Sequence, residues 1–149
     1  MPATPIEFGA YAAGLQKIMR GLVPIQTPGE LKLLMVGADY VPNNESHTNV
    51  THVTAYELYG DEWPQGGVTL TGCDMLIDPV DNKVYFAWSP VAVERASFAG
   101  GDKLVIYHAS PGSAANRTLL VWGAFGQALS PVWGPVAIAA PDGAWGVGY

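Results

Sequence analysis

The sequence predicts a mainly β domain: an antiparallel β-sandwich or jelly-roll-like barrel carrying one N-terminal α-helix. Three observations predict it. Short apolar stretches of strand length recur from Leu31 to Ile138, and turn-forming clusters such as Gly100-Gly101-Asp102, Pro111-Gly112-Ser113 and Pro141-Asp142-Gly143 punctuate them. The only helix-period stripe is confined to the first twenty-odd residues. At 149 residues the chain has the length of one domain. It divides into an N-terminal helical segment (1–24), a β body (30–126) and an apolar C-terminal assembly segment (127–149).

The helix is expected to start at a capping box, Thr4-Pro5-Ile6-Glu7, with Thr4 as N-cap and Glu7 reaching back. Phe8, Tyr11, Ala12, Leu15, Ile18, Met19 and Leu22 then fall on one face, with Gln16, Lys17 and Arg20 opposite. Lys17 and Arg20 complement the C-terminal end of the dipole, and Gly21 is the stop.

Beyond Pro28 the period changes. Leu31 to Val36 reads as a buried strand and Asp39 to Ser46 as a loop. Thr48 to Leu58 reads as a short helix or irregular chain. Val68 to Ile77 reads as one long strand, turning at Asp78 to Asn82 into a hairpin partner, Lys83 to Trp88. Further strands are expected at Lys103 to His108, Thr118 to Phe125 and Pro135 to Ile138.

Charge is scarce. Lys plus Arg is 7 and Asp plus Glu is 13, so 13% of the chain is charged, against about 25% in an ordinary soluble domain. A net charge of −6 argues against a phosphate-tracking nucleic-acid binder. Gly, Pro, Asp or Glu breaks every apolar stretch well short of a membrane span, and the N-terminus lacks the pattern of a signal peptide. Cys73 is the only cysteine and reads as a small buried hydrophobe. The three sequons (Asn44, Asn49, Asn116) read as coincidences of a loop-rich sequence.

No catalytic constellation stands out. The glycine pairs are not followed by Lys-Ser/Thr, and there is no Gly-x-Ser-x-Gly elbow. His47 and His52, five apart, suit neither a helical nor a strand pair, and with His108 they mark no metal site. Asp74, Asp78 and Asp81 read as turn chemistry. Glu57 and Glu62 would form a glycosidase-like pair only at the right separation. Asp61-Glu62-Trp63, beside Tyr56 and Tyr59, has the makings of a stacking site for a sugar or a base, though such clusters more often anchor a loop. No catalytic, cofactor or metal residue is therefore assigned.

The aromatic residues point to assembly. Of Trp63, Trp88, Trp122, Trp133 and Trp145, the strand residues Trp88 and Trp122 are expected in the core. After Arg117 the only charged side chain is Asp142, so this apolar stretch suits a surface covered by another chain. Trp133, Val136, Ile138, Trp145 and Tyr149 are the candidate interface residues. Tyr56, Glu57, Gly60, Trp63, Gly66 and Gly67 form a candidate structural loop. In it the glycines supply positive φ, Tyr56 buries its ring, and the Glu57 carboxylate accepts backbone N–H bonds.

The run Val53-Thr54-Ala55-Tyr56-Glu57-Leu58-Tyr59-Gly60, then Trp63 and Gln65-Gly66-Gly67-Val68-Thr69-Leu70-Thr71-Gly72, resembles a motif of a small virion protein family of tailed bacteriophages. The order around it fits: an N-terminal helix, a strand followed by Tyr40-Val41-Pro42, the motif, a hairpin with an Asn-containing turn, and a later strand ending in Tyr107. The likeness covers residues 5 to 125. It departs at Glu62-Trp63-Pro64, where the family has Gly-Tyr, and after Gly126. The resemblance implies a non-enzymatic structural component of the particle, made in the host cytoplasm and residing in the virion. Its implied partners are copies of itself and other virion proteins, either the major capsid protein or neck and tail proteins. A capsid decoration or cement subunit is the first expectation. The alternative is a receptor- or carbohydrate-binding component of a tail, head fibre or neck. A small glycan hydrolase using Glu57 and Glu62 is the third.

Overall fold

The fold is mainly β, with antiparallel sheets, one N-terminal helix and a β-sandwich-like arrangement. It is known from a computed structural model that describes residues 2–141, Trp145 and the backbone of Val147–Gly148. The elements are β1 (Glu7–Ala10), α1 (Ala12–Met19), β2 (Leu31–Gly37), β3 (Glu57–Leu58), β4 (Val68–Thr69), β5 (Asp74–Asp78), β6 (Lys83–Ala87), β7 (Val91–Ser97), β8 (Gly101–His108), β9 (Leu119–Leu129), β10 (Val132–Ile138) and β11 (Val147–Gly148). The main sheet runs β1-β9-β8-β2-β3, with β4 also paired to β2. A ribbon, β10-β7, and a smaller sheet, β11-β6-β5, complete the body.

The main sheet buries both faces, which is why β2 is an almost unbroken apolar run rather than an alternating one. Leu31, Leu33 and Met35 join Leu104, Ile106, Trp63, Phe86, Trp88 and Ile138 in one core. Leu34 and Val36 point the other way, with Val105, Tyr107, Tyr11, Tyr40 and Val53. In β9 the register with β8 slips between Val121 and Leu119. The slip puts Leu120 and Val121, neighbours in sequence, in the same core.

The N-terminal helix is present but begins at Ala12, not at Thr4. Its N-cap is Tyr11, which makes no side-chain cap. The expected first turns are instead β1, paired antiparallel with β9 from Glu7↔Ala124 to Ala10↔Val121. The sequence pattern missed the competing partner. β9 needs a neighbour on that side, and Gly9 lies so close to the Trp122 indole that a Cβ there would be 2.6 Å from it. Ladder pairing outweighs the modest propensity of so short a helical segment. The C-terminal end is as expected: Gly21 has φ 71°. Its N–H bonds to the Ile18 carbonyl, and Leu22 N–H bonds to that of Lys17, closing the helix in a Schellman motif.

Other boundaries differ as well; β8, β9 and β10 run beyond the expected Lys103–His108, Thr118–Phe125 and Pro135–Ile138, as Gly101–His108, Leu119–Leu129 and Val132–Ile138. The expected strand from Val68 to Ile77 is two strands, β4 and β5, because Gly72 turns the chain at φ 61°. Thr48 to Leu58 is two 3-10 turns (Val50–His52 and Thr54–Tyr56) leading into β3. β7 was not expected at all; its alternation is blurred by the exposed Glu94 and Arg95.

The C-terminal stretch needs the largest correction. Val136 and Ile138 are 7% and 0% exposed and belong to the protein's own core, so they offer no surface to a partner. Trp145 packs against Phe8, Phe86 and Trp88 of the same chain. Tyr149 and Asp142 lie outside the described residues. The stretch is apolar because β10 pairs with β7 and closes the sandwich. Among its described residues, Val132 and Trp133 are the large apolar side chains left exposed.

Candidate functional site

The Tyr56–Gly67 loop is built around two carboxylates that turn to different parts of the fold. The Glu57 carboxylate accepts the N–H of Gly66, and the Tyr107 hydroxyl donates to the Gly66 carbonyl at 2.6 Å. Gly66 and Gly67 both have positive φ, 91° and 88°. At Gly67 a Cβ would stand 2.2 Å from the Leu33 carbonyl oxygen, so the loop lies directly on β2. Burial raises the Glu57 carboxyl above the usual range, with the Gly66 bond pulling the other way. Burial also raises the Tyr107 phenol, and the Glu57 charge adds to it. Trp63 is fully buried and meets Phe98 edge-on at 5.8 Å. Tyr56, expected to bury its ring, is 40% exposed and lies 5.5 Å from Tyr40.

Glu62 serves a second locus. Its Oε2 accepts the N–H groups of Glu94 and Arg95 at 3.1 and 2.9 Å, and its Oε1 lies 3.9 Å from Arg95 Nε. Arg95 in turn lies over the Trp133 ring, 5.6 Å from the centroid. Trp133 holds φ 52°, a left-handed conformation that side chains larger than glycine seldom take. Asp61, at φ 55°, bridges to Ala96, while on the other edge of β7 Val132 and Gly134 oppose Ser97 and Ala96 with shifted register. Two left-handed residues thus flank one short piece of β7, and the one that is aromatic is exposed. Glu57 and Glu62 each accept backbone N–H groups, from Gly66 and from Glu94 and Arg95 respectively, and so tie the loop to two separate elements.

The three histidines are placed in two unrelated sites. The His47 and His52 rings stack at 5.1 Å and 18°. His47 also stacks on Tyr40, whose hydroxyl meets His47 Nδ1 at 2.9 Å and the Tyr11 hydroxyl at 2.7 Å. Desolvation, then the nearby His52, lowers the His47 pKa. Burial raises Tyr11 and Tyr40. Sequence spacing hid the stack, because the turn between the two residues is irregular.

His108 Nε2 lies 2.7 Å from Glu30 Oε2 and 3.1 Å from Ser110 Oγ, and Ser110 Oγ also bonds to Glu30. A hydrolytic relay needs the acid and the hydroxyl on different ring nitrogens. Here both meet the same one, and the cluster ties residues 108–110 to Glu30. The bonds from Ser110 and His108 hold the Glu30 carboxyl below its usual range. Glu30, Ser110 and Arg95 carried no sequence signal, since each takes its meaning from a distant partner.

Two apolar features remain. Leu15, Ile18, Ile25, Phe86, Val121 and Trp145 line a cavity of about 80 Å³ between α1 and the body. On the β5–β6 hairpin, Ile77 and Val80 are 70% and 86% exposed. Among the described residues no group of three metal-ligating side chains converges, and no helix is long and apolar enough to cross a membrane. Comparison with family models, curated proteins and solved structures finds no match to this chain.

Proposed function

We propose that this chain is a non-enzymatic structural subunit of a tailed-bacteriophage virion, a decoration or cement protein that stabilises the particle through oligomeric protein–protein contacts. The observation that carries the reading is the Val132–Trp133 knob. These residues are 82% and 63% exposed at the irregular start of β10, with Arg95 over the indole. Tryptophan and arginine are the residue types that dominate interface energies. The apolar hairpin around Ile77 and Val80 adds a second exposed patch. The low charge content and the motif around Tyr56 to Gly72 support the same reading.

The test is co-sedimentation of the purified chain with empty capsid shells, together with its mass in solution. The proposal expects an oligomer that pellets with shells, and a Trp133→Ala variant that folds but does not pellet. A monomer that stays in the supernatant at every shell concentration would overturn it. The receptor- or carbohydrate-binding alternative also draws on Trp133, and binding to host-surface glycans with no binding to shells would favour it.

A further inference from the structure

We propose that the stacked His47–His52 pair is a proton-operated latch that holds the 43–52 turn over the start of α1 while His47 is neutral and releases it in mild acid. The latch is independent of the virion reading and rests on the hydrogen-bond geometry alone. His47 Nδ1 receives the backbone N–H of Asn43 at 3.2 Å, so that nitrogen is an acceptor and the ring is neutral. The Tyr40 hydroxyl then donates to the same nitrogen, and Tyr11 donates to Tyr40. A proton on Nδ1 turns the acceptor into a donor that faces the fixed Asn43 N–H donor, and it forces the Tyr40–Tyr11 hydroxyl pair to reverse so that Tyr40 accepts. It also places a cation 5.1 Å from a second imidazole in a stacked geometry.

What the ring holds is the turn that anchors the helix. Asn43 Oδ1 accepts the N–H groups of Glu45 and Ser46, and the Asn43 carbonyl accepts that of His47. The adjacent Asn44 accepts Ala12 N–H on its carbonyl at 2.7 Å and Trp122 Nε1–H on its side chain at 2.8 Å. Asn44 is therefore the joint between the turn, the first residue of α1 and β9. Releasing His47 frees Asn43 and, with it, the orientation of Asn44.

The groups facing the stack come from every element around it. Tyr11 precedes α1, Tyr40 follows β2, and Tyr56 sits on the second 3-10 turn; the phenols of Tyr11 and Tyr40 are raised by burial and are uncharged in mild acid. His52 Nδ1 lies between Thr48 N–H and the Asn49 carbonyl. Arg117 gives its carbonyl to Val50 N–H, but its guanidinium is turned to the Pro111 carbonyl. Glu45 is exposed on the turn itself. Among the described residues no carboxylate forms an ion pair with either ring.

The test is amide hydrogen exchange on the full chain at about pH 7.5 and about pH 5, spanning imidazole titration, with rates corrected for intrinsic pH dependence. Protection at Ala12, Asn43 and His47 is expected to fall by about tenfold or more, while Leu34 and Val105 in the main sheet keep theirs. His47→Asn places a non-titrating acceptor near the Nδ1 position and is expected to abolish the acid loss. Should that variant not fold, the His47 ring resonances of the unaltered chain must titrate with the same midpoint as the Ala12 amide shift. Unchanged protection at the lower pH, a loss shared equally by Leu34 and Val105, a loss persisting in His47→Asn, or separate midpoints would each overturn the latch.

Discussion

The guanidinium of Arg95 lies over the indole of Trp133, 5.6 Å from the ring centroid, on a tryptophan whose backbone is left-handed at φ 52°. An exposed cation–π contact contributes about 0.5–1 kcal/mol. The left-handed backbone costs a non-glycine residue about 1–2 kcal/mol. The exposure of this side chain is therefore not explained by folding stability alone, which is why it anchors the assembly proposal. Substituting Trp133→Ala removes the contact and keeps the strain, whereas Trp133→Gly removes both. The glycine variant should be the more stable of the two by about 1 kcal/mol in urea unfolding. Equal midpoints for the two variants would mean that the backbone here stores no strain.

Gly14 gives a second prediction in which two rules conflict. Within a helix, Gly→Ala ordinarily stabilises by about 1 kcal/mol. At Gly14, however, a Cβ would stand 2.1 Å from the Leu119 carbonyl oxygen and 2.7 Å from Leu120 Cα, both backbone atoms of β9. The steric term wins, because β9 is held by β8 and β1 on either side and cannot retreat. Gly14→Ala should cost about 1–3 kcal/mol, with α1 displaced from the sheet. A thermal melt at or above that of the unaltered chain would show that α1 is not seated this closely.

The two predictions also mark where sequence reading succeeded and where it stopped. β2, the β5–β6 hairpin and β8 were legible because each carries its own pattern: an apolar run, a Pro-Asn turn, or a run ended by glycines. β1 was not, since a stripe compatible with a helix was drawn into a strand by its partner. The C-terminal stretch was misread because composition alone cannot separate residues buried by their own chain, such as Val136 and Ile138, from residues left for another, such as Trp133. Gly66 and Gly67 were legible from turn chemistry, whereas Gly60 does not have the expected positive φ and is needed instead because a Cβ there would stand 1.9 Å from the Ser97 carbonyl oxygen. The Arg95–Trp133 contact, the histidine stack and the Glu30–His108 tie were not, because each joins residues through space by routes that spacing does not encode.

Cys73 is half-buried, and burial pushes its thiol up to about 11. At mildly alkaline pH the thiolate, which is the reactive form, is depleted relative to an ordinary cysteine. Alkylation of the folded protein near pH 8 should be slower than that of the denatured chain by on the order of 100-fold. Mass spectrometry of time-quenched samples reads this directly, and similar rates in both states would contradict the burial assigned to Cys73.

Glu30 sets an acid limb of stability. Its carboxyl is held below the usual range by Ser110 first and His108 second. A carboxyl lowered in the folded state stabilises fully above its unfolded pKa, and that contribution is lost as pH falls through the folded value. Glu30→Gln should therefore lower the melting temperature at neutral pH and converge with the unaltered chain in strong acid. A difference that stayed constant down the whole acid range would show that the charge of Glu30 is not what ties residues 108–110.

Glu57 has the opposite sign. Burial raises its carboxyl despite the Gly66 N–H, so its contribution is fully present below the unfolded pKa and is lost as pH rises through the folded value. Whenever the side chain is ionised it still satisfies Gly66 N–H but pays for desolvation. Glu57→Gln keeps an acceptor oxygen and removes the charge, so it should match or exceed the unaltered chain at neutral pH. Glu57→Ala deletes the acceptor, leaves the Gly66 N–H without its partner on the loop, and should cost about 1–3 kcal/mol. The pair separates the hydrogen bond from the charge. If Glu57→Ala melts with the unaltered chain, the carboxylate does not hold the Tyr56–Gly67 loop. If Glu57→Gln is destabilised as much as Glu57→Ala, the charge itself, and not the acceptor, holds Gly66 in place.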